Sequence, residues 1–279
     1  GRMRHRKRPL PYQSKWEQAE FGPKTHDMLI TIQHGSRSYR ADLSRSIDLS
    51  ILLREGPGGV NCFGAPPVAY EPVRAGAFVG SVREGGPLNC FNVKLNPHGN
   101  GTHTECVGHI ATERHTIGPA LSQSHFFAKM ISVWPTLMDN GDRVITPDTL
   151  ALFFQKNEAE ALVVRTLPND PDKMRRHYTG TNPPYFGAEA LAYLVDCGVW
   201  HLLTDLPSVD REKDGGALAG HRAFWRYPGA EVRAQATITE LIYAPDEARD
   251  GYYLLNIQTA PFDLDASPSR PVLFALAAV

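Results

Sequence analysis

The chain has 279 residues, of which 42% are hydrophobic and 21% are charged, and its formal net charge is −1. These values are typical of a globular protein with a sizeable core and argue against a disordered or membrane-embedded chain. No run of residues approaches the roughly 18 apolar positions of a transmembrane helix, and the first residues lack the apolar core of a signal peptide.

The cysteines predict a reducing environment. The four of them form no CxxC pair and are too few and too scattered to suggest a disulfide framework. Because no targeting segment is visible either, we expect a cytoplasmic protein.

Residues 1–27 are predicted to form a basic N-terminal arm. Its first eight residues, GRMRHRKR, carry five of the 29 lysines and arginines, which leaves 24 basic against 30 acidic side chains and a formal charge of −6 elsewhere. A nucleic-acid-binding protein more often spreads basic residues over its folded face, so we interpret the arm as solvated or as an oligomer contact. We expect neither a nucleic-acid nor a membrane partner, and we predict one domain over residues 28–279.

Alternation and breaker residues predict the elements of the first part of the chain. Residues 28–44 alternate apolar and polar side chains around a Gly-Ser break, which is typical of a β-hairpin. Residues 55–89 are rich in glycine and proline and predict a long irregular segment. Residues 90–96, CFNVKLN, alternate again and predict a strand.

The middle of the chain predicts a strand, a helix and a second strand. FFAKMISVWPTLM (126–138) favours a strand, and ITPDTLALFFQ (145–155) a helix capped by Thr146 with Pro147 at its first position. ALVVRT (161–166) has the apolar composition of a short buried strand.

The remaining elements favour a mixed α/β fold. Apolar residues at helical spacing over 185–198 predict a helix that ends on Gly198, and 199–210 predicts a strand that runs into a loop. The strand, helix, strand order from 161 to 205 predicts a parallel βαβ unit. From residue 231 onward, the pattern predicts antiparallel strands up to the end of the chain.

The run HGNGTHTECVGH at 98–109 is the densest group of potential metal ligands in the chain. Its GNGTHT portion begins like a dinucleotide fingerprint, but Thr104 stands where the third glycine belongs. GxxxxGK[ST], HExxH and GxSxG motifs are absent, so phosphate loops, zincin proteases and common serine hydrolases lack sequence support.

A metal site and a hydrogen-bonded polar turn both remain open for this run. His103 and Glu105 are two residues apart, so an extended backbone would place them on one face. Imidazole with carboxylate suits zinc, manganese or iron. Cys106 would point the other way and is better explained as a small buried residue.

The run resembles the HxGTHxDxPxH signature of the cyclase-like metal hydrolases, the family of bacterial kynurenine formamidase and isatin hydrolase. The matching positions are Gly101, Thr102 and His103 for GTH, Glu105 for the aspartate and His109 for the last histidine.

Other segments carry the same resemblance, which extends over residues 40–279. ADLSRSIDLS (41–50) and CFGAPP (62–67) look like the family's first strand and WPG-like loop. ALVVRT looks like its VLIRT strand, and LLTDLPSVD (202–210) like its GIDTPSVD segment. His221 and Glu240 then follow in the family's order.

Three positions depart from the signature. The family's first histidine lies four residues before the second, where this chain has Gly99, and His98 is displaced by one residue. Either the glycine-rich turn lets His98 reach the metal, or that ligand has been lost. Glu105 replaces the aspartate, and Val107 replaces the proline.

The resemblance implies a swivelling β/β/α fold, homodimers or homotetramers, and one or two divalent ions, with zinc expected first and manganese as the alternative. The implied ligands are His98, His103, Glu105, His221 and Glu240. The implied activity is hydrolysis of a C–N bond in a small amide, formamide or cyclic amide by metal-activated water; the alternative is a non-catalytic member that binds a metal or a small ligand.

Further side chains are assigned by the same resemblance. His109 takes the position of the general base and acid, since an imidazole can accept and donate a proton near neutral pH, although it could instead orient a ligand. Phe63, Tyr70, Phe186 and Trp225 could wall the substrate pocket or be plain core residues. Asp205, Ser208 and Asp210 are expected to brace the site or the fold.

Overall fold

A computed structural model describes residues 27–279. The predicted basic arm, apart from its last residue, lies outside the described residues. The strands are β1 (Leu29–His34), β2 (Arg37–Asp42), β3 (Ser46–Asp48), β4 (Ala69–Pro72), β5 (Arg74–Ala75), β6 (Phe78–Val79), β7 (Phe91–Lys94), β8 (His103–Glu105), β9 (His125–Val133), β10 (Thr136–Leu137), β11 (Arg143–Ile145), β12 (Ala161–Thr166), β13 (Tyr185–Phe186), β14 (His201–Thr204), β15 (Thr237–Glu240), β16 (Gly251–Thr259), β17 (Ala266–Ala275) and β18 (Ala277–Ala278). The helices are α1 (Pro97–Asn100), α2 (Ile117–Ala120), α3 (Pro147–Ala151), α4 (Ala188–Asp196) and α5 (Ala219–Trp225).

A mixed sheet closes into a barrel-like ring at the centre of the molecule. Its strand order is β16-β9-β12-β14-β15-β8-β17, and β16 also pairs with β17. The neighbours β9, β12, β14 and β15 run parallel, whereas β8, β16 and β17 join the ring by antiparallel pairing. The strand β3 continues the sheet along the far part of β17.

Strands of the ring separate two hydrophobic clusters because successive side chains point to opposite faces. Ala161 and Val163 of β12 belong to one cluster, and Leu162 and Val164 belong to the other. The second cluster also contains the apolar face of α4 and α5, so the helices cover the sheet from that side. Full burial of each such side chain contributes about 1.5–3 kcal/mol.

Several predicted elements are confirmed. The hairpin β1–β2 pairs in antiparallel register around Gly35, and β12, α4 and β14 form the parallel βαβ unit. Gly198 follows α4 with a φ of +92°, a left-handed conformation that favours glycine at a helix end. The predicted mixed α/β class is also the one observed.

Two predictions were wrong in extent. The helix α3 begins at Pro147 and is capped by Thr146, but it ends at Ala151 because the chain then turns to bury Phe154 in the core. The strand predicted from residue 231 is confined to β15, which lies parallel to β14 and antiparallel to β8.

The glycine- and proline-rich segment 55–89 is largely irregular, as predicted, with only short strands in it. One of them, β4, pairs with β7, and this hairpin stays outside the central ring. Within residues 27–279, no helix has the length and apolar character needed to cross a membrane.

Candidate metal centre

The strand β8 carries two of the predicted ligands on one face of the ring. His103 and Glu105 are completely buried, and Thr104 between them points the other way, to Thr239. The register with β15 sets Glu240 opposite His103, and Glu240 Oε2 lies 3.5 Å from His103 Nε2. Strand pairing therefore brings together residues that are far apart in sequence.

His221 enters the same cluster from the helix α5. Its Nε2 lies 3.1 Å from Glu105 Oε1 and 3.9 Å from Glu240 Oε1. Its other ring nitrogen, Nδ1, lies 2.5 Å from Asp210 Oδ2. Asp210 also accepts the backbone N–H of Gly220 at 2.6 Å, so one carboxylate fixes both the start of the helix and the imidazole.

His98 reaches the cluster from the short helix α1, despite its displaced position in the sequence. Its Nδ1 lies 3.0 Å from Glu105 Oε2, and its Nε2 lies 3.0 Å from Asp265 Oδ2. A Cβ at Gly99 would meet the Cβ of Ala65 at 2.4 Å, so a histidine has no room there. The displaced residue therefore provides the imidazole that Gly99 cannot.

His103 supplies the third imidazole of the cluster and is fully buried. Its Nδ1 lies 3.0 Å from the carbonyl oxygen of Gly101, which leaves Nε2 directed toward Glu105 and Glu240. His103 Nε2 and Glu105 Oε2 are both buried without a hydrogen-bond partner; His98 Nδ1, although close to that oxygen, is not in hydrogen-bonding geometry. Each such orphaned polar atom costs about 1–3 kcal/mol.

This donor set fits a divalent metal. Each of three imidazoles has one ring nitrogen engaged by a supporting oxygen and presents the other to the carboxylates of Glu105 or Glu240. That arrangement is characteristic of histidine ligands held by outer partners. His98, His103 and Glu105 offer ligand atoms within 4.8 Å of one another. An ion there would satisfy both orphaned atoms.

Without an ion, the carboxylates of this cluster favour the protonated forms of two imidazoles, those of His98 and His221. Burial opposes the positive charge on His98 and His221, but their hydrogen bonds with carboxylates outweigh it and raise the pKa of each to about 10. Burial also opposes the negative charge on Glu105, yet the neighbouring imidazoles keep its pKa well below its ordinary value. The cluster is therefore an environment that favours cations.

His109 lies at the rim of the cluster, in a 3₁₀ turn at Val107–His109. Its side chain is 29% exposed, whereas those of His103 and His221 are at most 2% exposed. Its Nδ1 is 3.8 Å from Glu105 Oε2, and its ring stacks on His98 at 4.3 Å between centroids. An imidazole at this boundary faces both the ligands and the solvent.

The DLPSVD segment supports the fold through Asp205 and the cluster through Val209 and Asp210. Asp205 accepts hydrogen bonds from the Thr166 backbone N–H at 2.9 Å and from Lys173 Nζ at 2.8 Å. Ser208 Oγ accepts the backbone N–H of Asp210, and Val209 donates its backbone N–H to Glu240 Oε1 at 2.8 Å.

The aromatic residues predicted to wall the pocket occupy different environments. Phe63 is half exposed, has a φ of +56°, and lines a small cavity together with Ser208 and Asp210. The Tyr70 hydroxyl donates to the Leu53 carbonyl oxygen at 2.9 Å.

The prediction for Phe186 was wrong. This side chain is 1% exposed and is buried in the hydrophobic cluster under α4, so it has no surface to offer a ligand. Trp225 is likewise buried, with Nε1 donating to the Ala236 carbonyl oxygen, although its ring lies 5.4 Å from that of His221.

Asp265 is the site residue that sequence reasoning missed. It directly precedes β17, and its carboxylate faces both His98 and His109. Hydrogen bonds from these two imidazoles hold its pKa below the ordinary value. No spacing rule links it to the histidine run, and only the pairing of β17 with β8 brings it there.

A family model now adds to this geometry. The Cyclase model matches residues 41–211, which is more than half of the chain. The chain belongs to the Cyclase family. The matched range of this Cyclase family member includes the histidine run and the bracing segment, whereas His221 and Glu240 lie beyond it and are brought beside the run by the fold.

Solved structures share the fold of this Cyclase family member. Isatin hydrolase A from Labrenzia aggregata, bound to benzyl benzoate, has 15% sequence identity and a TM-score of 0.58, with 83% of this chain and 93% of that chain covered. A predicted metal-dependent hydrolase from Bacillus stearothermophilus has 17% identity and a TM-score of 0.57, with 82% and 98% covered. Isatin hydrolase A from Ralstonia solanacearum has 17% identity and a TM-score of 0.57, with 83% and 92% covered. No curated protein sequence matches the chain.

Proposed function

We propose that this protein is a metal-dependent hydrolase that cleaves a C–N bond in a small amide, formamide or cyclic amide. The observation that supports the proposal most strongly is that three imidazoles converge on two buried carboxylates. One ring nitrogen of each imidazole is bound to a supporting oxygen, and the other faces Glu105 or Glu240. The fold shared with isatin hydrolases supports a cyclic amide among the substrates.

The residues that would hold the metal are His98, His103, Glu105, His221 and Glu240. Zinc is the ion that suits this mixture of imidazole and carboxylate best, with manganese second. The two oxygens of Glu105 face different imidazoles, Oε1 toward His221 and Oε2 toward His98, so Glu105 would serve as a ligand whether one ion or two were bound. A bound divalent ion would lower the pKa of water and polarise a carbonyl oxygen.

His109 is the residue we assign to proton transfer. Its position beside Glu105 and its partial exposure let it accept a proton at Nδ1 or Nε2 and later donate one to the leaving nitrogen. The imidazoles of His98, His103 and His221 cannot serve this purpose, because each has one nitrogen engaged by a supporting oxygen and the other directed at the carboxylates.

The first test measures metal and turnover together. Protein purified without chelator is analysed for bound transition metals and then incubated with a panel of aryl formamides, linear amides and lactams, with carboxylate products followed by chromatography. We expect bound zinc and hydrolysis of at least one class. Metal retained without turnover on any class would support the alternative, a non-catalytic binding member, and absence of metal under every loading condition would contradict the metal site itself.

The variant His109→Ala tests the assigned proton carrier. Proton transfer by a positioned side chain contributes roughly 10²–10⁴-fold to a rate, so kcat should fall by about that factor. Because His109 is not among the assigned ligands, zinc content should stay at the wild-type value. Unchanged turnover would refute the assignment, and loss of metal would make His109 a ligand.

A further inference from the structure

Asp265 lies on a segment that is fixed against the histidine run by main-chain bonds. Its carbonyl oxygen accepts the backbone N–H of Cys106 at 3.0 Å, and the preceding carbonyl, of Leu264, accepts the backbone N–H of Ile117 at 2.8 Å. The next residue, Ala266, pairs directly with Glu105 in the β8–β17 ladder. Asp265 therefore cannot move independently of the strand that carries the buried carboxylate.

A glycine allows this close packing. A Cβ on Gly108 would lie 2.1 Å from the carbonyl oxygen of His115 and 3.1 Å from the Cβ of Asp265. Only a residue without a side chain lets the turn that ends at His109 pack this closely on the His115 carbonyl, and a side chain there would also crowd Asp265. The backbone thus brings Asp265 and His109 side by side.

The Asp265 carboxylate faces two imidazoles with different roles. Its Oδ2 lies 3.0 Å from Nε2 of His98 and 3.5 Å from Nδ1 of His109. With Nε2 of His98 donating to Asp265, Nδ1 is left to face Glu105, 3.0 Å away. The rings of His98 and His109 stack on each other, so the Asp265 carboxylate contacts His98 directly and also limits the position of the His109 ring.

From this geometry we infer that Asp265 is a positioning residue. It orients the displaced His98 toward the metal and keeps the His109 ring beside that of His98. The inference rests on the proposed metal-dependent function. Carboxylates that orient histidine ligands also raise their basicity, and their loss typically lowers metal affinity roughly 10–100-fold. Asp210 holds His221 in the same way, so each end of the cluster has its own carboxylate support.

Zinc titration of the apoprotein tests the inference without depending on turnover. Asp265→Ala should weaken zinc binding by roughly 10–100-fold and shift the visible absorption bands of the cobalt-loaded protein. Asp265→Asn keeps the size of the side chain and one acceptor oxygen but loses the charge. Its loss of zinc affinity should therefore be smaller than that of Asp265→Ala but still measurable. Asp263→Ala is the matched control, because Asp263 lies on the same segment, is exposed, and pairs with Arg114 away from the cluster.

A double-mutant cycle separates positioning from a general structural effect. In a His98→Ala background there is no displaced imidazole to orient, so Asp265→Ala should add little, about twofold or less. An undiminished effect in that background would overturn the inference. Wild-type zinc affinity in Asp265→Asn would also overturn the inference. If Asp265→Ala does not fold, the zinc affinity of Asp265→Asn alone tests the positioning role.

Two other outcomes have distinct meanings. Loss of one whole equivalent of zinc in Asp265→Ala, with the remaining zinc bound as tightly as before, would make Asp265 a ligand and overturn its positioning role. If the wild-type protein binds no zinc, the proposed function fails. If it binds zinc and the Asp265 variants bind it equally well, only the positioning role fails.

Discussion

At the scale of single residues, position 99 has no room for a histidine, and the imidazole comes from position 98. Gly99 is packed against Ala65, which excludes a side chain there, and the imidazole at position 98 reaches Glu105 instead. Position 105 has a glutamate where the family signature has the shorter aspartate. One carboxylate oxygen of Glu105 lies beside His98 and the other lies beside His221. The departures from the signature are therefore compatible with a single cluster.

Exchanging positions 98 and 99 tests this account. In the double variant His98→Gly/Gly99→His, the new side chain would clash with Ala65, and overpacking of this kind typically costs about 1–3 kcal/mol. We expect a lower free energy of unfolding in urea and weaker zinc binding. His98→Ala is the control, since it removes the same imidazole and its contacts with Asp265 and Glu105 without the clash; the exchanged protein should be less stable than this control as well as the wild type. Wild-type stability in the exchanged protein would show that position 99 accepts a histidine.

At the scale of elements, local pattern predicted the hairpin β1–β2 and the unit β12–α4–β14, because turn residues and periodicity are local signals. The position of His103 and Glu105 on one face of β8 was likewise predicted from their spacing. The partners of β8 were not, since its pairing with β15 and β17 depends on the closure of the whole ring. Asp265 was missed for that reason: it is 167 residues from His98 in sequence.

The start of α5 depends on one carboxylate, which makes Asp210 a sensitive position. Asp210→Ala would leave the backbone N–H of Gly220 and Nδ1 of His221 unsatisfied in a buried environment, at about 1–3 kcal/mol for each lost partner. We expect lower stability in urea and weaker zinc binding. Asp196→Ala, which removes an exposed carboxylate 3.7 Å from Arg226, should change neither. Stability and affinity equal to wild type in Asp210→Ala would contradict the role given to this carboxylate.

At the scale of the whole molecule, a buried histidine outside the cluster links stability to pH. His201, on β14, is buried against Phe126 and lies 2.9 Å from Thr237 Oγ1. Burial, with a smaller contribution from Arg233, lowers its pKa from 6.5 to about 4. Between these two values the unfolded chain binds the proton more tightly than the folded protein does, so the contribution of His201 to stability falls as the pH falls from about 6.5 to 4 and does not change further below that.

The contribution of His201 can be isolated with His201→Gln, which has no charge to gain. The shift corresponds to a loss on the order of 3 kcal/mol between pH 7 and pH 4 in the wild-type apoprotein. Urea unfolding of both proteins at the two pH values should show a smaller loss in the variant by about that amount. Equal losses in the two proteins would show that His201 is not held neutral in the fold.

The proposed function depends on one metal-binding cluster in the barrel-like fold, formed by His98, His103, Glu105, His221 and Glu240. Calorimetric titration of the metal-free protein with zinc tests this cluster, with Glu105→Ala measured beside the wild type. We expect the wild-type protein to bind one or two zinc ions tightly, and Glu105→Ala to lose that binding because both carboxylate oxygens face the imidazoles. Wild-type protein that takes up no zinc, or a Glu105→Ala variant that binds it with unchanged affinity, would contradict the account.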